Sequence, residues 1–197
     1  MASLNTGSAQ HALRDRGNDL YETPPEAVRA LLSLEDVPPF VWEPACGPGS
    51  IVRVLRESGR ECISSDLVDY ASPDQQFSGW DFLLEKSAPP RVRGVVTNPP
   101  FKNAVEFVRK ARELVPYTAM LLRLAFLESE RRRDILEGGD LARIYVFRNR
   151  LPMMHRAGRG IVQPERQNSS ALAFAWFIWD RAHTGPTELH RISWSAV

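Results

Sequence analysis

The chain has 197 residues and a formal net charge of +1, a length that suits one folded unit with a sizeable core. With 43% hydrophobic and 25% charged residues it has an ordinary globular composition, which excludes collagen-like, low-complexity and disordered classes. The balanced total neither requires nor forbids a nucleic-acid partner, because a local basic patch can hide within it. Cys46 and Cys62, the two cysteines, have no metal-ligand spacing, so no metal is expected; they read as reduced thiols, which points to a cytoplasmic protein. There is no apolar signal core and no run of membrane-spanning length, so no membrane partner is expected.

Residues 1–18 are polar and weakly patterned and read as a mobile arm, with one domain over 19–197. In Tyr21-Glu22-Thr23-Pro24-Pro25, Thr23 suits the cap of a helix beginning at Pro24, since proline fits a first turn. Val28, Leu31, Leu32 and Leu34 give that helix an apolar face. Phe40–Glu43 reads as a strand, Pro44-Ala45-Cys46-Gly47-Pro48-Gly49 as a small-residue loop and Ser50–Glu57 as a helix. Such a strand, Gly-rich turn and helix make a nucleotide-binding unit: glycines let the backbone approach a ligand and the helix start offers N–H groups. The loop is neither G-x-G-x-x-G nor a P-loop, which weakens dinucleotide and ATP readings.

Glu61–Ser65 is the next strand, ending in Asp66-Leu67. An acid there, about 20 residues beyond the first strand, can hold two ribose hydroxyls. Asp81-Phe82 can bind an adenine through its exocyclic amine and ring face, or can be a capping Asp beside a core Phe. Gly94–Thr97 is a buried strand, followed by Asn98-Pro99-Pro100-Phe101 and then a helical pattern over Lys102–Leu114. Two successive prolines fix φ, supply no N–H and push each preceding residue to extended backbone. The result is a stiff corner presenting carbonyls, an Asn amide and a ring, able to accept hydrogen bonds from an amino group and to stack a planar base.

Further strands are expected at Thr118–Leu124, Ala142–Phe147 and Ala171–Trp179, a helix over Glu128–Leu136 and a short edge element at Ile192–Val197. Arg131-Arg132-Arg133 reads as a solvated face. Residues 148–170 carry Arg148, Arg150, His155, Arg156, Arg159 and Arg166 around Met153 and Met154. They read either as an exposed loop kept soluble by its charge or, preferably, as a substrate loop with guanidinium groups on phosphates. Strands alternating with helices indicate an α/β, doubly wound, mostly parallel sheet.

These pieces, in this order, resemble the class I S-adenosylmethionine-dependent methyltransferases that act on amino groups, in particular the N6-adenine enzymes, including short phage and prophage DNA adenine methyltransferases. Glu43-Pro44-Ala45-Cys46-Gly47-Pro48-Gly49 resembles their first cofactor motif, with Cys46 and Pro48 varying from the commoner small residues. Asp66 and Leu67 match the ribose-binding position, Asp81-Phe82 the adenine-side motif, and Tyr21-Glu22-Thr23-Pro24 the segment that touches the cofactor's methionine end. Asn98-Pro99-Pro100-Phe101 matches the catalytic tetrapeptide. The resemblance implies a Rossmann-like seven-stranded sheet with one antiparallel strand and S-adenosylmethionine as cofactor. It also implies methyl transfer to adenine N6 in DNA ahead of RNA, with Lys102, Arg148, Arg150, His155, Arg156 and Arg159 on the nucleic acid. A protein glutamine methyltransferase and a non-catalytic nucleic-acid-binding subunit of the same fold are the rival readings. Oligomeric state is not readable.

Overall fold

The computed structural model describes residues 21–152, 154, 155 and 172–195. Eight strands form the main sheet: β2 (Phe40–Glu43), β3 (Glu61–Asp66), β4 (Phe77–Ser78), β5 (Gly94–Thr97), β6 (Tyr117–Arg123), β7 (Leu141–Phe147), β9 (Phe174–Asp180) and β10 (Glu188–Ile192). Their order across the sheet is β10-β7-β9-β6-β5-β2-β3-β4. β9 runs antiparallel to both neighbours, β6 and β7, and every other pair is parallel. A separate two-stranded ribbon pairs β1 (Tyr21–Glu22) antiparallel with β8 (Met154–His155).

Helices α1 (Pro25–Leu32) and α2 (Ser50–Glu57) cover one face of the sheet and α3 (Ala104–Leu114) the other; α4 (Arg133–Leu136) is one turn. Side chains alternate across a strand, so each strand feeds two cores. Val41, Val96, Leu121 and Trp176 pack with Val28, Leu31, Val52 and Leu55 of α1 and α2. Trp42, Val95, Leu122 and Phe177 pack with Phe107, Val108 and Ala111 of α3. The buried indoles keep partners: Trp42 Nε1 donates to Ser65 Oγ at 2.8 Å and Trp176 Nε1 to the Ala27 carbonyl at 2.8 Å, as buried donors require.

The expected mostly parallel α/β sheet with one antiparallel strand is present, with eight strands where seven were expected. β10 adds in parallel to the outer edge of β7, earlier in the chain than the anticipated edge element. Its first four residues are exposed, so it carries no apolar pattern to read. Thr23 does not cap α1: Pro24 is the cap residue and no side chain bonds there, because the Thr23 hydroxyl is used elsewhere, as described below. The helix expected over Glu128–Leu136 is two short turns, Glu130–Arg132 and Arg133–Leu136, and Lys102 lies in a 3₁₀ turn that precedes α3. No described helix is long and apolar enough to cross a membrane.

Candidate active site

The chain leaves β2 to pair β3 on one side and returns to place β5 on the other. Open α/β sheets bind ligands at the carboxyl ends of strands beside such a reversal. The loops after β2, β3 and β5 meet there around a cavity of about 360 Å³. From the first loop, Ala45, Cys46 and Pro48 line it; from the second, Asp66, Leu67, Val68 and Tyr70. Asn98, Pro99, Pro100, Phe101, Lys102 and Asn103 form a further wall, and Tyr21, Glu22 and Thr23 of the ribbon complete it. Ser50 and Ile51 at the start of α2 line the cavity as well.

The glycines shape the first loop rather than lining the cavity. Gly47 has φ +51° and its N–H donates to Asp66 Oδ2 at 2.9 Å. Gly49 has φ +95°, and a Cβ there would lie 2.2 Å from Asp74 Cβ, so a side chain is excluded by both backbone and space. Asp66 Oδ1 accepts from the Val68 N–H at 2.9 Å. Burial raises the Asp66 carboxyl above its ordinary value, while the backbone hydrogen bonds from Val68, Gly47 and Leu67 oppose that rise. A carboxylate has about four acceptor positions, so these backbone bonds leave Asp66 with acceptor capacity toward the cavity.

Glu43 is fully buried and does not line the cavity. Its Oε1 accepts from the Ala45 N–H at 3.1 Å and from the Thr97 hydroxyl. It therefore ties the glycine loop to the residue before Asn98. Burial pushes its carboxyl up to about 8 against those two hydrogen bonds, with Asp66 adding to the rise. Burial likewise holds the Cys46 thiol far above its usual range, so Cys46 is a neutral wall residue and not a nucleophile.

Asn98 has the most directional environment. Its Nδ2 donates to the Tyr21 carbonyl at 3.0 Å and to Thr23 Oγ1 at 3.1 Å. Both amide protons are thus taken by the ribbon segment. Its Oδ1 is buried and has no hydrogen-bond partner. Phe101 stands beside it, 4.8 Å from the Tyr21 ring and 5.9 Å from Phe174.

Asp81 and Phe82 take the capping-and-core placement. Asp81 Oδ1 accepts from the Leu83 N–H at 3.0 Å. Phe82 is buried, packed edge-on to Trp42 at 5.0 Å and tilted against Phe107 at 5.0 Å. Neither lines the cavity, and neither do Pro24 and Pro44. Arg148 and Arg150 are exposed. Arg156, Arg159 and Arg166, the side chain of His155, and the arm over 1–18 lie outside the described residues. Val68 and Tyr70 were missed as wall residues; their signal is an apolar and an aromatic residue placed just after a strand-end acid. Burial pushes the Tyr70 hydroxyl up to about 12, so it faces the cavity neutral.

No family profile and no curated protein matches this chain. Solved structures do. The modification subunit of a putative type I restriction enzyme from Vibrio vulnificus YJ016 is 17% identical over 96% of this chain and 53% of its own, with a TM-score of 0.59. A structure of a type I R-M system is 19% identical over 93% of this chain and 48% of its own, with a TM-score of 0.56. A putative RNA methyltransferase from Pyrococcus horikoshii is 18% identical over 79% and 81%, with a TM-score of 0.50. The chain spans about half the length of the two type I proteins. At these identities the likeness establishes a shared fold.

Proposed function

We propose that the protein is an S-adenosylmethionine-dependent methyltransferase that methylates the N6 amine of adenine in DNA. The observation that carries this reading is the Asn98 amide: both its protons are tied down and its oxygen is buried with no partner. A buried acceptor without a donor costs about 1–3 kcal/mol, and such an orphan at a cavity calls for an explanation by function. A ligand N–H satisfies it.

The cavity residues fit the cofactor. Asp66 keeps acceptor positions for ribose hydroxyls, and the Gly47 turn admits close backbone approach. Leu67, Val68 and Tyr70 offer apolar and aromatic surface. When bound, the cofactor supplies a sulfonium methyl group.

The remaining work falls to the chain. The lone pair of adenine N6 is delocalised into the ring, so the amine is a weak nucleophile. Hydrogen bonds from its two N–H groups to Asn98 Oδ1 and the Pro99 carbonyl favour the more tetrahedral, nucleophilic nitrogen. Fixing the acceptors in advance removes the cost of arranging them during reaction. Phe101 stacks on the base. A base within a duplex must first be flipped out, at a cost of a few kcal/mol.

The structural neighbours, a modification subunit of a putative type I restriction enzyme, a type I R-M system and a putative RNA methyltransferase, are in keeping with a nucleic-acid substrate. A nucleic acid is favoured over protein by the arginine content of residues 148–166. Incubating the protein with tritium-labelled S-adenosylmethionine and separate DNA, RNA and protein pools tests the reading. Label is expected in DNA; label confined to RNA or to protein replaces the substrate assignment.

A further inference from the structure

The ring of Phe101 is covered by its neighbours. Tyr21, Phe174 and Arg123 all abut it, and Arg123 does so with its guanidinium carbon 4.0 Å above the ring centroid. The guanidinium thus covers a face of the ring at stacking distance. Of these three neighbours, Phe174 is buried in the core and Tyr21 belongs to a segment held by Asn98 through its backbone carbonyl. Arg123 differs from both. It ends β6, its Nε is buried with no hydrogen-bond partner, and among the described residues no carboxylate lies within ion-pair distance of it. A long side chain held by one cation–π contact is the neighbour that can leave.

We propose that Arg123 occupies the base-stacking place on Phe101 until a target base arrives, yields it to that base, and then binds a phosphate of the same strand. The proposal rests on the base-methylating reading above. A planar cation satisfies an aromatic face, and the base replaces it with a stack of the same shape. The displaced guanidinium, already short of an acceptor at Nε, has forked geometry suited to phosphate oxygens. Recognition and opening of the slot are then one event: the charge that closes the slot is drawn out by the backbone that delivers the base.

The test compares two acceptors, an adenine-containing oligonucleotide and free adenosine, in the unmutated protein, Arg123→Leu and Arg123→Lys. Binding of S-adenosylhomocysteine serves as the folding control. Arg123→Leu should raise KM for the oligonucleotide by about tenfold or more, the loss of a charge-assisted hydrogen bond. The salt dependence of oligonucleotide binding should become shallower by about one unit. For adenosine, which has no phosphate, the same variant should lower KM by about two- to fivefold, because a competitor for the ring is gone. Arg123→Lys should keep the salt slope. Equal losses on both acceptors, or no change on either, overturn the proposal while leaving base methylation intact. An unmutated protein that binds S-adenosylhomocysteine yet methylates neither acceptor overturns base methylation, and the proposal with it.

Discussion

At the scale of single residues, Asn98 and Glu43 do different work from adjoining positions. Asn98 lines the cavity and carries a buried, unpartnered acceptor, whereas Glu43 does not line it and is joined to Thr97 and Ala45. With its carboxyl raised from 4.5 to about 8, Glu43 keeps its proton in the folded protein where the unfolded chain loses it. Folding therefore takes up a proton between those values. The associated stability is complete below about pH 4.5 and is lost as pH rises through about pH 8. Glu43→Gln keeps the shape and a neutral group, so urea melts of this variant should show a flatter pH dependence over that window and higher stability than the unmutated protein at its alkaline end. An unchanged slope would mean that Glu43 is ionised when folded. Asp66 and the tetrapeptide could be picked out from the sequence because strand-end acids and Asn-Pro-Pro corners are local signals. The role of Thr23 was not legible as an Asn98 partner, since the two are far apart in the chain and meet only through the ribbon.

At the scale of elements, α2 and β5 have the boundaries that the apolar pattern predicts. Their buried positions are dense; glycines flank α2, and β5 begins at Gly94 and stops before Asn98-Pro99. β10 and the β1–β8 ribbon escaped notice for opposite reasons. β10 is mostly exposed; the ribbon joins segments more than a hundred residues apart through two residues each. The loop between α1 and β2 supplies another long-range contact. Glu35 is buried and binds Arg143, with the Tyr145 hydroxyl donating to it at 2.7 Å and Tyr117 at 3.4 Å. Tyr117 begins β6, so this cluster lies at the amino edge of the sheet, opposite the cavity. Glu35→Ala should destabilise the fold by about 3 kcal/mol, the low end for breaking a buried pair, because Arg143 keeps some contact with water. Denaturant melts should register that loss while affinity for S-adenosylhomocysteine, measured well below the transition, stays unchanged. A loss of affinity without a loss of stability would show that the two edges are coupled.

At the scale of the whole molecule, a net charge of +1 hides an uneven arrangement. Arg109, Arg112 and Arg133 are neutralised in ion pairs with Asp134, Asp140 and Glu137 away from the cavity, whereas Arg123 has none among the described residues. The sheet brings three loops and the ribbon to one place, and among the cavity-lining residues Asn98 holds a buried amide oxygen with no hydrogen-bond partner. The most direct test of the account is the turnover of Asn98→Ala on adenine-containing DNA, measured beside its affinity for S-adenosylhomocysteine. The account predicts that affinity is largely kept, because this oxygen is meant for the target amine, and that methyl transfer falls by at least about a hundredfold, the scale of removing one preorganised hydrogen-bonding group. Turnover equal to that of the unmutated protein, with label still on adenine N6, would contradict it.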